Sequence, residues 1–395
     1  MKRICSSPLI IIEAMKHLKN RIISIYSIIV AMSFSACINS HKNNDVMEIY
    51  TPIVEPVKTE PLDITKLLPP AEVVYLDNST KESMLSLIKD VKIEEEIIYI
   101  LSDDAIYKFN MDGSFICKIK RYGRGHGEYL RLKRFDIDIT RKEISVHDSE
   151  QRKILIYDLD GNYKRSFNID DVVEDFTRLP NGDYLFYRPK KLDRGRRGLW
   201  QSDSNGVFKK HLIEIDDSYE FGVILDYFLI KQKDGTVTLM GNEQYNYFYK
   251  ITSDTIYTTY QMITDVEMKR KVQKNRVHDI KSDPSDAFFK YGYLETDKML
   301  SFAVSGTSGN VRVYVDKEQN YTYRIYNNDD KLPVEDGYLY PNMYNYSYKN
   351  MQICYLPVEA ILSIEEHHKR FPDITSESNP LLFIAREQIN VNYDQ

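Results

Sequence analysis

Hairpin turns that recur at a near-constant interval constrain this chain more than any other feature. Residues Ala105–Ile119 read Ala-Ile-Tyr-Lys-Phe-Asn-Met-Asp-Gly-Ser-Phe-Ile-Cys-Lys-Ile, and Lys153–Phe167 read Lys-Ile-Leu-Ile-Tyr-Asp-Leu-Asp-Gly-Asn-Tyr-Lys-Arg-Ser-Phe. Each is a strand, an Asp-Gly turn and a second strand. In the second copy Lys153, Leu155 and Tyr157 alternate with Ile154, Ile156 and Asp158, the two-residue period of a strand. Asp112-Gly113 and Asp160-Gly161 supply the positive φ of a tight hairpin. They lie 48 residues apart, and Asn205-Gly206 follows 45 residues later. Ser253-Asp254 continues the series without its glycine. A period of roughly 40–50 residues, with four strands in each, is that of a propeller blade. A lone blade leaves both faces wet, so the copies must form a closed set.

Read in order, six blades span Ser86–Ile119, Arg134–Asn168, Val173–Leu212, Val223–Tyr260, Phe288–Tyr326 and Gln352–Ala385. The fold class is all-β, a six-bladed β-propeller over residues 71–390 with short helical insertions. One insertion is expected at Asp265–Ile280, where apolar and charged residues are spaced by three or four. Another is expected at Val358–His368, inside blade six. If the early strand Val73–Leu76 pairs beside Leu381–Ala385, the N- and C-terminal strands close the ring and no edge is left open.

The N-terminus carries an address. Lys16, Lys19 and Arg21 precede an apolar run from Ile22 to Ala36, short for a membrane span and suited to a signal peptide over residues 1–36. Residues 1–14 read as an upstream start, with Met15-Lys16 opening a cleaner signal. Phe34-Ser35-Ala36-Cys37 resembles a lipobox, which makes Cys37 the lipidated mature N-terminus. The alternatives are an ordinary secretory signal or a single anchoring helix. Residues 37–70, dotted with proline, read as a flexible tether. Without residues 1–36 the chain holds 48 basic and 58 acidic residues, a net charge of −10. Such a domain is a poor nucleic-acid binder, and membrane contact is expected through the lipid. Cys117 and Cys354 fall in the first and last blades, where either a disulfide or two separate thiols fits.

Three matches together resemble a known family, the six-bladed β-propeller lipoproteins of Bacteroidetes-type gut bacteria, whose propellers are similar to the NHL type. They are the lipobox at Cys37, the run Arg121-Tyr122-Gly123-Arg124-Gly125-His126-Gly127-Glu128-Tyr129, and Asn379-Pro380-Leu381-Leu382. The family pattern for the second is G-R-G-x-G-E-[YF], with proline where His126 stands here. The resemblance implies the fold and a cell-envelope location; it transfers no catalytic residue. The expected location is the outer membrane, at its periplasmic face or the cell surface.

No catalytic, metal or cofactor set is expected. Gly123, Gly125 and Gly127 have the look of a phosphate loop, but a strand rather than a helix follows them. They read as a tight inter-blade crossing that Glu128 anchors through backbone hydrogen bonds. Candidate ligand contacts are Tyr338, Tyr340, Tyr344 and Tyr346, as a stacking platform or as strand residues packed between blades. Arg194 and Arg196, in the basic cluster Lys190–Arg197, are the other candidates, for an anionic ligand or lipid headgroup. His147, His211 and His367-His368 show no convergent spacing. Glu94-Glu95-Glu96 reads as a solvated turn. The expected function is a cell-envelope lipoprotein whose propeller is a non-catalytic binding module for a protein partner or an extracellular glycan or peptide. The alternative is an NHL-like metal-dependent lactonase or lyase.

Overall fold

A computed structural model describes residues 46–51, 57–189, 195–215, 228–240, 247–264, 289–306, 309–326, 332–334, 337–339 and 344–386. From Met47 onward the chain builds one compact unit, a six-bladed β-propeller. The expected signal over 1–36, Cys37 and the helix at Asp265–Ile280 lie outside the described residues.

Blade one comprises Ile88–Glu94, Ile97–Ser102, Ala105–Asn110 and Phe115–Ile119, each antiparallel to the next. Blade two repeats this with Leu132–Asp138, Glu143–Asp148, Lys153–Asp158 and Tyr163–Asn168. Blade three uses Asp175–Arg178, Tyr184–Arg188, Gly198–Ser202 and Phe208–Ile213. Blade four uses Leu229–Lys231, Val237–Leu239, Tyr247–Ile251 and Ile256–Ile263, and blade five Phe289–Glu295, Met299–Gly306, Gly309–Asp316 and Tyr321–Tyr326.

The two-residue alternation has a direct consequence in the third strand of blade two. Ile154 and Ile156 pack with Phe176, Tyr184, Phe186 and Trp200 of blade three. Leu155 and Tyr157 point the other way, to Tyr99, Leu101 and Ile106 of blade one. All four are buried, and each side chain of this size contributes about 2 kcal/mol by leaving water. A blade is therefore stable only between two neighbours.

The recurrent glycine serves that packing too. Gly161 has φ +81°, and a Cβ there would stand 2.8 Å from the Ile119 side chain on the outer strand of blade one. Gly113 has φ +86°, and its Cβ would overlap the carbonyl of Tyr75 at 2.0 Å. So each of these turns touches the outer strand of the preceding blade, and Tyr75 identifies that strand for blade one. Turn geometry is fixed by the carboxylate before it: Asp158 Oδ1 accepts N–H bonds from Asp160 at 3.0 Å and Asn162 at 2.8 Å.

Blade six combines both ends of the unit. Tyr344–Tyr348, Met351–Leu356 and Leu381–Ala385 form three strands, and Glu72–Tyr75 adds the fourth, with Val73 opposite Phe383 and Val74 opposite Leu382. The ring is closed as the sequence predicts. Its inner strand, Tyr344–Tyr348, lies upstream of the expected start at Gln352. Two short helices, Val358–Ser363 and Glu365–Arg370, separate the second and third strands.

The proline-dotted segment expected as a tether is built into the propeller from Met47. Met47–Tyr50 pairs in parallel with Tyr260–Ile263 at the outer edge of blade four, and Ile49 is buried there against Met262 and Phe302. Farther on, Arg324 of blade five donates through Nε to the Tyr50 carbonyl at 2.8 Å, and Thr59 Oγ1 donates to the Arg324 carbonyl at 3.0 Å. Ile64, Leu67 and Leu68 then fill the seam between Met299 and Tyr314 of blade five and Leu356 and Phe383 of blade six. This strap crosses blades four and five before entering blade six. Its buried apolar residues, Ile49, Ile64, Leu67 and Leu68, follow no strand period, which is why the sequence hides it.

Candidate axial site

The first strands of blades one, two, three, four and six line the ring axis, and those of blades one to four carry charged residues. Asp90, Lys92 and Glu94 alternate with Val91 and Ile93 in blade one; Arg134, Asp136 and Asp138 alternate with Phe135 and Ile137 in blade two. Alternation sends every second residue to one face. The result is a narrow cavity of about 20 Å³, open to solvent and lined from blades one, two, three, four and six.

Its ion pairs cross between blades. Lys231 of blade four donates to both oxygens of Asp136 of blade two, at 2.9 and 2.8 Å. Asp136 Oδ2 also accepts from Thr177 Oγ1 at 3.0 Å and from the Arg178 N–H at 2.7 Å in blade three. Burial pushes the Asp136 carboxyl up, but Lys231, Lys92 and these hydrogen bonds outweigh it and hold the pKa below the ordinary value. Lys92 pairs with Asp90 at 2.8 Å, and its ammonium stands 4.9 Å from the Phe135 ring centroid and 5.4 Å from that of Tyr348. Glu94 binds Lys349 at 2.6 Å and accepts the Tyr348 hydroxyl. Burial, reinforced by Asp136 and Glu94, raises the Tyr348 hydroxyl well above its usual pKa.

Asp175 differs from the other two aspartates. Its Oδ2 accepts the N–H groups of Phe228 and Leu229, both at 2.9 Å. Its nearest ion-pair distance is 3.8 Å, from Oδ1 to Arg134 Nε. Burial dominates here and raises its pKa.

The sequence-derived candidates fall elsewhere. Gly125 N–H donates to Glu128 Oε2 at 2.7 Å, and the Gly123 N–H and Tyr129 carbonyl bond at 3.0 Å. Gly127 has φ +73° and lies against the Tyr163 ring, leaving no room for a Cβ, while its carbonyl accepts the Tyr157 hydroxyl at 2.9 Å. These contacts fold the run Arg121–Tyr129 back on itself between blades one and two. Arg196 is ion-paired with Asp171 at 2.5 Å and lies over the Phe208 ring; Arg194 lies outside the described residues. Tyr344 and Tyr346 are on the inner strand of blade six, Tyr338 is in a small hairpin opposite Pro333, and Tyr340 lies outside the described residues. Tyr348 reaches the cavity. Cys117 and Cys354 are not joined to each other by a disulfide. Glu94 is buried rather than solvated, and the turn belongs to Glu95 and Glu96, both with positive φ. Among the described residues no three His, Cys, Asp or Glu side chains converge as a metal-sized cluster.

His147 is buried against Phe176, and its Nδ1 has no hydrogen-bond partner among the described residues. Burial first, then Lys133, pushes its pKa down to about 3 from an ordinary 6.5. The folded ring is neutral while the unfolded one takes a proton below pH 6.5. Stability is thus complete above that pH and lost as pH falls, by about 1.4 kcal/mol per unit. His147→Gln is expected to flatten the stability profile by roughly that slope between pH 6 and 4.5. Urea unfolding at three pH values in this window checks it.

No curated protein matches the chain. Among solved structures, a Bacteroides fragilis protein named for its proposed export superposes with a TM-score of 0.67 at 14% identity, over 87% of this chain and all of that one. A member of the DUF4221 family from Bacteroides vulgatus aligns at 9% identity and a TM-score of 0.46, covering 80% of this chain and 96% of that one. At such identities the first likeness is one of fold. The sequence model of a domain of unknown function, DUF4934, matches residues 52–386, from the strap to the last strand of blade six, and the chain therefore belongs to the DUF4934 family.

Proposed function

We propose that this protein is a lipid-anchored lipoprotein of the cell envelope, held at the outer membrane through Cys37, and that its propeller recognises a partner rather than catalysing a reaction. The observation that carries this reading is the state of the axial carboxylates. Asp90, Asp136 and Glu94 each bind a lysine within 2.8 Å, and Asp175 is taken up by two backbone N–H groups. General acid–base or Lewis-acid chemistry needs groups free to exchange protons or hold an ion; these are occupied in bracing the ring. Propeller loops around a shallow axial depression suit recognition of an envelope protein, glycan or peptide. The signal-like run before Cys37 and the exported fold neighbour support the address.

Cys37→Ala is expected to abolish membrane association and lipid labelling while the domain stays folded and soluble. Persistent palmitate labelling of that variant contradicts the anchor. For recognition, the lipidated chain immobilised in envelope extract should enrich a defined component that a propeller unfolded by urea does not.

A further inference from the structure

We infer that the strap docks on the lipid bilayer, with Tyr50 and Val57 seated among zwitterionic headgroups, so that blade four is turned towards the membrane and blade one away from it. This rests on the lipid anchor proposed above and names the surface through which the anchored propeller meets the lipid.

Covalent reach selects this side of the ring. The strap begins at Met47 on the outer edge of blade four, ten residue steps from Cys37. Ten steps span at most about 35 Å in any conformation. A propeller of this many residues is about 50 Å across. The opposite rim, at blade one, is thus farther from the start of the strap than the lipid can be. A surface held this close to the bilayer needs little affinity of its own, because the anchor makes the contact intramolecular.

The strap also carries the side chains that such an interface takes. Its described residues, 46–51 and 57–70, include three of the eleven exposed large apolar or aromatic side chains, Val46, Tyr50 and Val57. The other eight are spread round the rest of the ring. Tyr50 and Val57 are neighbours in space. Arg324 Nε donates to the Tyr50 carbonyl, and its guanidinium lies 5.8 Å from the Tyr50 ring centroid. Two residues along the same strand, the Tyr326 hydroxyl accepts the Val57 N–H at 3.1 Å. Positions two apart on a strand share a face and lie about 7 Å from each other. Tyr50 is 48% exposed and Val57 40%, and a ring with an apolar body and a polar tip favours the headgroup level. Ile49 turns inward, so Glu48 and Tyr50 turn outward. Lys58 follows Val57 and is exposed, as Glu48 is. One charge of each sign matches a zwitterionic headgroup and gives no net attraction to an anionic one.

The test uses the full-length lipidated chain in vesicles of phosphatidylethanolamine and acyl-brominated phosphatidylcholine, whose bromine atoms quench tryptophan on contact. Trp200, the single native tryptophan, is buried in blade three and gives a constant background. Tyr50→Trp and Val57→Trp should each add fluorescence that the brominated lipid quenches, at least about twofold more than that added by Tyr122→Trp, 59% exposed at the crossing between blades one and two. The two strap sites stand in for each other if one substitution disturbs the strap. Replacing phosphatidylethanolamine by phosphatidylglycerol should leave the strap quenching no stronger. Equal quenching at all three sites, quenching greatest at Tyr122→Trp, none at either strap site, or quenching that appears only with the anionic lipid overturns the docking; where the chain still floats with the vesicles, the anchor stands. A wild-type chain that does not float with them overturns the anchor and the docking together.

Discussion

Replacing Asn379 by leucine is expected to destabilise the propeller by about 2–3 kcal/mol, because one buried and two part-buried backbone groups lose their partner at once. Asn379 is 2% exposed, and its side chain spans the seam where the ring closes. Its Nδ2 donates to the carbonyls of Asp77 at 2.8 Å and Ser83 at 3.0 Å, and its Oδ1 accepts the Leu85 N–H at 2.8 Å. Those groups belong to the segment that leaves the closing strand Glu72–Tyr75 and leads into blade one. The next residues, Pro380 to Ala385, supply the strand against which Glu72–Tyr75 pairs. One amide therefore ties blade six, the closing strand and blade one together. Leucine fits the volume but satisfies none of the three groups. Chemical denaturation should show a lower midpoint with an unchanged slope. Asn379→Asp keeps an acceptor for Leu85 but sets a carboxylate oxygen against the Asp77 and Ser83 carbonyls, so it should be no milder than leucine at neutral pH.

The second large effect is expected at the axis. Lys231→Met leaves Asp136 without its cation in a site where the carboxylate is 3% exposed. Breaking one side of a buried pair costs about 3–5 kcal/mol, most of it from the stranded charge. Asp136→Asn in the same background should restore a large part of that loss, because the amide oxygen still accepts from Thr177 and Arg178. A double-mutant cycle measures the coupling. The acid limb adds a second signature. Asp136 is held below its ordinary pKa, so its pairing stabilises the fold above the usual carboxylate range and is lost as pH falls through the folded value. The Lys231→Met chain should lose less on acidification than wild type.

How far the sequence reaches follows from what each signal means physically. The Asp-Gly turns were legible because two constraints act on one residue: positive φ at Gly113 and Gly161, and contact with the preceding blade. Ring closure was legible because an apolar strand at each end needs an edge to cover. The helices of blade six showed in the spacing from Val358 to His368. The strap Met47–Tyr50 was hidden, since a strand added in parallel at an outer edge buries a single residue, Ile49, and needs little pattern. The axial charges were hidden for another reason. Alternation such as Asp90-Val91-Lys92-Ile93-Glu94 looks the same whether the polar face meets solvent or an inner channel. What separates the cases is position: these residues fall on the first strand of a blade, whereas the outer strand Tyr163–Asn168 alternates towards water. Arg196 looked available because a run of basic residues does not reveal Asp171, 25 positions away.

The closed ring is tested most directly by native-state hydrogen exchange on the full-length chain. The account predicts that the amides of Glu72–Tyr75 exchange together with those of Leu381–Ala385, at the slow rate of global unfolding. Residues 72–75 exchanging like an unstructured tail, while 381–385 stay protected, would contradict it.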